Sequence, residues 1–480
     1  MRNTVIAWNR FGLGPRLDMT PPADPRGWLK AQMQAYRPSV PPGESLATRK
    51  DILADLAEYR TAQRQTRQAR RQSGDPPAKG DAQSPAKPLR QDIRRHYDAQ
   101  VATRTRLAVA SDTPFVERLV HFWANHFAVS VEKLPVLGLA GLMEFEAIRP
   151  HVLGRFEDML MAVAQHPAML LYLDQAQSIG PNSVVGQRAA ARGRERGLNE
   201  NLGREILELH TLGARAGYSQ ADVTELARAL TGWSVAGLGR RRAQRMMQHL
   251  GGAPGDFLFA PPLHEPGART IMGQRYDQVG EAQARAILTD LARHPATARH
   301  IATKLARHFI ADDPPAALIA RLEQAYRSSN GDLPALYTVL IDSPEAWTDS
   351  SAKFRTPWDW AIALLRLQGD MPMLPADPKR ADRQLTALFA QLGQPVWRPG
   401  SPAGFDDVAA SWAGPDALVR RVEVAQRLAR RTSPAIDPRA IAEHIFGDTL
   451  RPATAQVIAR AESPQQGMAL LMVAPEMMRR

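Results

Sequence analysis

The chain has 480 residues, and its 44% hydrophobic and 23% charged content is that of an ordinary globular protein. It contains no cysteine, which excludes disulfides, thiolate metal sites and a cysteine nucleophile. No apolar run reaches the roughly 18 residues that a membrane-spanning helix needs, and the first ten residues lack the apolar core of a secretory leader. These features predict a cytoplasmic protein, or one exported together with a partner.

The formal net charge of +12 is concentrated in two polar stretches. Residues 60–106 carry 12 basic and 4 acidic side chains. The second group consists of Arg240, Arg241, Arg242 and Arg245. Because no pattern of stacking aromatic side chains is interleaved with the basic ones, a solvated insertion is favoured over a nucleic-acid interface. Residues 61–88 have little to bury, which predicts a disordered or loosely held segment.

Most of the remaining chain carries helix signals. Helices are predicted over 25–36 and 46–59, and Ser or Thr followed by Pro marks further starts at Thr113, Ser343, Thr356 and Ser463. Later helices are predicted over 282–291, 296–309, 316–327, 333–341, 358–367, 380–392, 416–430, 438–446 and 464–472. Strand signals are limited to one pair, 257–259 with 270–272.

These signals predict a mainly α fold, a multi-helix orthogonal or bundle-like array with few or no short strands and a disordered basic insertion. The predicted divisions are an N-terminal helical segment over 1–59, the basic insertion over 60–107 and a main helical domain over 108–480. A sub-boundary is placed near 235–280.

The segment 198–213 contains the densest group of acids and amides. Its pattern predicts a helix that ends at Gly213. A second helix is predicted from Ser219 to about Leu230, with Ser219 and Asp222 as a capping pair. On a helical wheel Asn201, Glu205 and Glu208 share one face, beside an apolar stripe. Such paired carboxylates serve acid–base chemistry or bind a hard cation, and the alternative is a salt-bridge network with Arg204 or Arg228. His210 falls roughly 140° from Glu205, which argues against a metal triad of these acids with His210.

The segment 114–127 supplies two histidines. His126 shares a face with Phe115, Leu119 and Phe122, which predicts a buried ring whose partner is a glutamate of the 198–213 helix; the alternative is a satisfied core histidine. Glu117 and His121 form an i,i+4 pair that is predicted to lie on the surface.

Two further signals are weaker. His264 and Glu265 lie in a predicted loop, and Lys304 and His308 are i,i+4 neighbours that either bind an anion or occupy a helix surface. The sequence contains no Gly-x-Ser-x-Gly elbow, P-loop, Gly-x-Gly-x-x-Gly fingerprint or His-Glu-x-x-His motif. This weighs against α/β serine hydrolases, nucleotide hydrolases, Rossmann enzymes and common zinc proteases.

Several ordered motifs together resemble a known family. They lie at 122–127, 167–174, 199–213, 217–219, 229–233, 264–267 and 294–315. In these motifs the chain is similar to the bacterial family catalogued as domain of unknown function 1800 (DUF1800), over nearly its full length. The resemblance implies a mainly helical bacterial protein, often encoded beside a secreted sulfatase-like protein, and it implies no activity. Ala124 stands where many relatives have a second histidine, which argues against a paired-histidine metal site, and His210 stands where relatives often have Phe.

The leading hypothesis is a helical hydrolase or lyase that acts on a polymeric substrate, and the hypothesised polymer is a glycan. Its predicted catalytic residues are Glu205, Glu208 and His126. The predicted substrate-binding residues are Asn125, Asn199, Asn201, Arg204, Arg228, Trp233 and His264. No metal site or cofactor is assigned. The alternatives are a non-catalytic scaffold or partner of the sulfatase-like protein, and a metal-dependent oxidoreductase that uses Glu205, Glu208 and His126.

Overall fold

A computed structural model of the chain describes residues 1–38, 46–73, 86–194, 197–237, 251–348, 353–367 and 377–480. It is 64% helical and 4% strand, which confirms the predicted mainly α fold. The second basic group, Arg240, Arg241, Arg242 and Arg245, lies outside the described residues.

The first half of the chain is a succession of helices. The α-helices before the first strand are α1 (Arg2–Ile6), α2 (Pro25–Ala35), α3 (Arg49–Ser73), α4 (Ala86–Ala110), α5 (Pro114–His126), α6 (Leu134–Leu137), α7 (Ala140–Met143), α8 (Phe156–Gln165), α9 (Pro167–Tyr172), α10 (Val184–Ala190), α11 (Asn201–Glu205) and α12 (Gln220–Ala229). Short π-helical turns cover Ala7–Phe11, Glu144–Ile148 and Ile206–His210. The helix predicted over 198–213 is therefore α11 continued by a π-helical turn, a feature that often marks functional sites.

Helices α3 and α4 correct the predicted loose segment over 61–88. Residues 61–73 continue α3 and residues 86–88 begin α4, while residues 74–85 lie outside the described part. Beyond residue 88, and still within the predicted insertion 60–107, α4 buries Ile93, Tyr97 and Val101 in the core. These apolar side chains recur every four residues on one face, so this part of α4 is amphipathic.

Two small antiparallel sheets contain the strands, and they correct the predicted pairing. Strand β1 (Trp233–Val235) pairs with β2 (Phe257–Phe259), and β3 (Arg269–Ile271) pairs with β4 (Gln274–Tyr276). The predicted partners 257–259 and 270–272 therefore belong to different sheets. Between β3 and β4, Met272 and Gly273 both have positive φ, of 50° and 79°, as a two-residue hairpin turn requires. The tight turn pairs β3 with its neighbour in the chain.

The second half returns to helices. They are α13 (Glu281–Arg293), α14 (Pro295–Phe309), α15 (Ala316–Ser328), α16 (Leu333–Asp342), α17 (Pro357–Leu367), α18 (Pro378–Gln391), α19 (Ala409–Trp412), α20 (Pro415–Ala429), α21 (Pro438–Phe446), α22 (Pro452–Ala459), α23 (Pro464–Met472) and α24 (Pro475–Met478). Turns of 3₁₀-helix cover Arg149–His151, Gln175–Gln177, Pro261–Leu263, Pro344–Trp347 and Gly447–Thr449. The predicted helices over 438–446 and 464–472 match in both bounds, because cap residues and first-turn prolines mark their starts.

One large hydrophobic cluster extends in sequence from Ile6 to Met478. Residues of all three predicted divisions (1–59, 60–107 and 108–480) contribute to it, and whether any division folds independently stays a prediction. Within the described ranges, the helices lack the combination of length and apolar composition that crossing a membrane requires.

Candidate functional site

A cavity of about 260 Å³ lies where α5, α14 and α17 meet the loop that follows α18. Its wall is rich in titratable side chains. They include Arg104, His121, His126, Lys304, His308 and Asp407. Of the residues predicted as a site, Asn125 and His126 line this cavity.

His308 and Asp407 form a hydrogen-bonded pair in the cavity wall. His308 Nδ1 lies 2.6 Å from Asp407 Oδ2, and His308 Nε2 is buried with no hydrogen-bond partner in the described part of the chain. Although burial alone would raise it, the charges of His308 and Lys353 hold the pKa of Asp407 well below its usual range. The ionised carboxylate therefore accepts the Nδ1 proton and leaves Nε2 as a bare acceptor.

Burial lowers the pKa of His308 to about 4, against the opposing attraction of Asp407. The imidazole is thus neutral near pH 7 and has the protonation state of a general base. Lys353 fixes the aspartate from its other side, since its Nζ lies 3.2 Å from Asp407 Oδ1 and 2.7 Å from Asp312 Oδ1. The pair is held in one orientation by a buried cation.

Lys304 lies one helical turn before His308 on α14 and also lines the cavity. Burial lowers its pKa to about 8, Asp407 acts to raise it and Arg307 to lower it. In the described residues its ammonium makes neither a hydrogen bond nor an ion pair. The i,i+4 spacing of Lys304 and His308 was visible in the sequence, and the structure places both residues in the wall of the cavity.

His126 faces the cavity from α5 and is 1% exposed. Its Nε2 lies 3.1 Å from the backbone carbonyl of His210, and its Nδ1 has no partner among the described residues. Burial, together with the charge of Lys304, holds its pKa well below the ordinary value. The predicted glutamate partner was wrong: the 198–213 segment supplies a carbonyl instead, because His210 is the last residue of its helix and the final carbonyls of a helix have no partner within it.

The other end of the cavity is built from aromatic rings and a buried guanidinium. Arg104 lies over the rings of Trp358 and Trp397, at 4.1 and 5.4 Å from their centroids. The Arg104 Nε is 2.8 Å from Glu144, and Trp358 Nε1 donates to His121 Nδ1 at 3.1 Å. These contacts give the wall a fixed geometry.

The predicted surface pair Glu117–His121 is buried, which corrects that expectation. Glu117 is 2% exposed and lies 3.3 Å from His121 Nε2. Arg149 donates to both Glu117 oxygens, at 2.8 and 2.5 Å, and to Glu144 at 3.0 Å. The polar side of α5 thus faces a second buried ionic cluster rather than solvent.

Asn125 uses its amide to fasten the loop that covers the cavity. Its Nδ2 donates to the Phe405 carbonyl at 2.8 Å, and its Oδ1 accepts from the Phe405 N–H at 2.7 Å. Gly404 fits against it, because a Cβ there would lie 2.3 Å from the Asn125 carbonyl oxygen. The side chain predicted to bind substrate therefore orients the loop that carries Asp407.

Glu205 and Glu208 do not line the cavity. Burial, and then the charge of Glu208, raise the pKa of Glu205, and burial, with Glu208, also raises the pKa of Tyr218. The alternative salt-bridge network is absent from the described residues, because Arg204 pairs with Glu200 and Arg228 with Glu225. Both acids are partly buried, and neither belongs to the cavity wall.

The other predicted binding residues are dispersed. Asn199 stabilises its own loop, accepting from the Asn201 N–H at 2.9 Å beside a shallow surface depression. Trp233 is 1% exposed and stacks edge-on against Phe257. His264 Nδ1 lies 2.9 Å from the Thr231 carbonyl. The structure brings none of these described side chains into the cavity.

A second histidine group lies behind His126. The ring of His126 is 6.4 Å from that of His210 and 6.0 Å from that of His300. Both ring nitrogens of the buried His210 have no partner in the described part, and burial lowers its pKa to about 3. In the residues that the structure describes, no group of three or more His, Asp or Glu is arranged to hold a metal ion.

The residues that the sequence did not indicate come from remote segments. Asp407 follows α18 in a loop and meets His308 from 99 positions away, and Lys353 precedes α17. Trp397 was noticeable only as an aromatic residue in a Pro/Gly-rich stretch. No local pattern places these side chains together.

The fold and the cavity define a mainly α protein with a histidine–aspartate pair and a lysine in the wall of one cavity. The chain belongs to the family described as Protein of unknown function (DUF1800), whose model matches residues 6–479. This confirms the resemblance seen in the sequence motifs. Comparisons with curated proteins and with solved structures find no match.

Proposed function

We propose that the chain is an enzyme of the hydrolase or lyase type whose general base is His308. The observation that carries the proposal is the unpartnered Nε2 of His308 in the cavity wall, with Nδ1 fixed by Asp407 at 2.6 Å. A carboxylate that orients a neutral imidazole in this way is a recurring arrangement for taking a proton from water or from a substrate.

Lys304 supplies the positive charge for the same step. In hydrolysis of an ester, His308 takes a proton from the attacking water, negative charge builds on the carbonyl oxygen, and the alcohol leaves with the proton that His308 returns. In elimination, His308 takes the proton next to a carbonyl or carboxylate, negative charge builds on the oxygen of that group, and the β-substituent leaves as the double bond forms. A lysine beside that oxygen stabilises the charge in both steps. The volume of about 260 Å³ lies just below the roughly 300 Å³ at which ligand pockets commonly begin. It suits a small molecule or one unit of a polymer, and a glycan remains the proposed polymer.

A second candidate site is the Glu205–Glu208 pair. Its support is the raised pKa of the partly buried Glu205 close to the charge of Glu208, because a carboxyl that keeps its proton suits a general acid. Neither glutamate lines the cavity.

Substitution at each candidate site separates the two proposals. Purified protein is offered a panel of glycans and esters, and new reducing ends, unsaturated products and released acid are measured. With a substrate in hand, we expect His308→Asn to lower kcat by about 100- to 10,000-fold, the usual contribution of a general base. Glu205→Gln and Glu208→Gln should leave kcat nearly unchanged. His96→Asn is the matched control, since His96 Nε2 also lies 2.7 Å from an aspartate, Asp55, away from the cavity.

The pH profile provides a second readout. The base form of His308 is lost as pH falls through about 4, and the ammonium of Lys304 is lost as pH rises through about 8. We expect kcat/KM to be bell-shaped with limbs near these values.

Loss of activity in the glutamate variants alone would show that Glu205 and Glu208, and not His308, are the catalytic residues. Absence of turnover across the panel would favour the scaffold alternative, which a pull-down with the sulfatase-like protein tests.

A further inference from the structure

We propose that the cavity recognises a hydroxylated carboxylate, the chemical class of the sugar acids, through Lys304, His126 and His308. The inference deepens the proposed function, because it names a substrate class for the same cavity. It rests on three polar atoms of the cavity wall, Lys304 Nζ, His126 Nδ1 and His308 Nε2, which have no hydrogen-bond partner among the described residues.

The positive charge comes from Lys304. Its ammonium is held in the wall with neither a hydrogen bond nor an ion pair to the described residues, and the carboxylate that acts on it, Asp407, is already bonded to His308 and Lys353. A partly desolvated cation is more favourable when an anion pairs with it. Arg307 and Asp406 also line the cavity, as a further cation and a further acid, and the ammonium of Lys304 suits a carboxylate as its partner.

Two acceptors lie beside this cation. His126 Nε2 faces a backbone carbonyl and must carry the ring proton, so its unpartnered Nδ1 is an acceptor. His308 Nδ1 faces Asp407, so its unpartnered Nε2 is also an acceptor. Both histidines line the cavity, and buried acceptors are usually hydrogen-bonded to a donor. Hydroxyl groups on the ligand supply these donors.

An aromatic surface lies between the two histidines. The Phe122 ring centroid is 6.4 Å from that of His126 and 5.3 Å from that of His308, and Phe122 also lines the cavity. A ligand that reaches both acceptors therefore passes over an apolar ring, which accommodates the C–H face of a sugar. A simple carboxylate leaves the acceptors unused, and a neutral sugar leaves Lys304 unused.

Isothermal titration calorimetry with four probes tests each part of the recognition. The probes are D-glucuronate, D-glucose, acetate and inorganic phosphate, each titrated into the wild-type chain. We expect glucuronate to bind at least about 10-fold more tightly than the other three, since hydrogen bonds to charged groups commonly contribute that much. Lys304→Met should weaken glucuronate binding about 10- to 100-fold. Lys379→Met, which removes an exposed lysine at the start of α18, should not change it.

Each competing outcome would contradict one part of the proposed recognition. Glucose binding as tightly as glucuronate overturns the role of the charge, and acetate doing so overturns the role of the hydroxyls. Tighter phosphate binding replaces the carboxylate class, and no binding of any probe removes the proposal. The wild-type chain also gives a test without substitutions, because glucuronate binding should weaken as pH rises through about 8.

Binding is measured separately from turnover, so the two proposals fail in different ways. Glucuronate binding without loss of turnover in His308→Asn would overturn only the assignment of the base. Turnover that depends on His308 while neutral sugars bind as well as sugar acids would overturn only the substrate class.

Discussion

At the scale of single residues, the described part of the chain contains two histidine–aspartate contacts of nearly equal length. His308 lies 2.6 Å from Asp407, and His96 lies 2.7 Å from Asp55. The side chain of His308 is 12% exposed and that of His96 is 23% exposed. The decisive difference is the setting, since only the first pair borders a cavity that also contains an unpaired lysine. A contact distance alone therefore does not identify an acid–base site.

His210 provides a stability prediction. Its folded-state pKa of about 3 lies below the ordinary value of 6.5, so between these pH values the unfolded chain binds a proton that the folded chain does not. The free energy of unfolding should therefore fall as pH drops from about 6.5 toward 3, by roughly 1.4 kcal/mol per pH unit for this group.

We expect His210→Phe to make that dependence shallower by about this amount and to raise stability at pH 5, because the two unpartnered ring nitrogens are removed. Urea unfolding at pH 7 and pH 5 measures both effects, with His96→Asn as the control. An unchanged slope between the two pH values would contradict the assignment of a neutral, buried His210.

Sequence patterns predicted individual site residues unevenly. His126 was predicted to be buried because its face is apolar, and Lys304 and His308 were noticed through their helical spacing. The role of Asn125 depends on a loop 280 positions away, and the pairing of His308 depends on the same loop. Local periodicity contains no information on such distant partners.

At the scale of elements, local capping chemistry accounts for most of the helix starts that were predicted. Ser219 accepts from the Asp222 N–H at 3.2 Å, and Asp222 accepts from the Ser219 N–H at 2.7 Å, which confirms the predicted capping pair. Thr113 also precedes a helix but makes no side-chain cap hydrogen bond. The Pro that follows it is sufficient to begin α5.

This contrast gives a matched pair of substitutions. Ser219→Ala should lower the free energy of unfolding by about 1 kcal/mol, the common value for a lost N-cap. Thr113→Ala should change it by less than about 0.5 kcal/mol. Chemical denaturation of the two variants beside the wild type measures both, and equal losses would show that the cap bond contributes nothing specific.

The wrong predictions of helices and strands have identifiable physical reasons. The segment 61–88 has little apolar surface to bury, so its composition predicted a loose segment, although residues 61–73 continue α3 and residues 86–88 begin α4. The strand at 257–259 was recognised, but its partner, Trp233–Val235, was not predicted to be a strand. Partner choice depends on the folded neighbourhood rather than on the strand itself.

At the scale of the whole molecule, buried charges connect distant parts of the chain. Asp359 accepts from Arg118 at 2.9 Å and lies 3.3 Å from Arg480. Although burial opposes it, these two arginines hold the pKa of Asp359 well below its usual range. Because one carboxylate joins α5, α17 and residue 480, local opening at any of the three exposes the other two.

We therefore expect the described core to unfold as one cooperative unit. Tryptophan fluorescence and far-ultraviolet circular dichroism should give coincident urea transitions, because the hydrophobic cluster extends in sequence from Ile6 to Met478. Two separated transitions would instead support independent folding of the predicted divisions 1–59, 60–107 and 108–480. Limited proteolysis at intermediate urea would then show which segment opens first.

The cavity wall has a consequence for the order of events during synthesis. It takes Arg104 from α4, His126 from α5, Lys304 from α14 and Asp407 from the loop after α18. A growing chain exposes its early segments long before the last of these residues has emerged from the ribosome. His308 cannot meet Asp407 until then, so the base that we propose is complete only after residue 407 has been made.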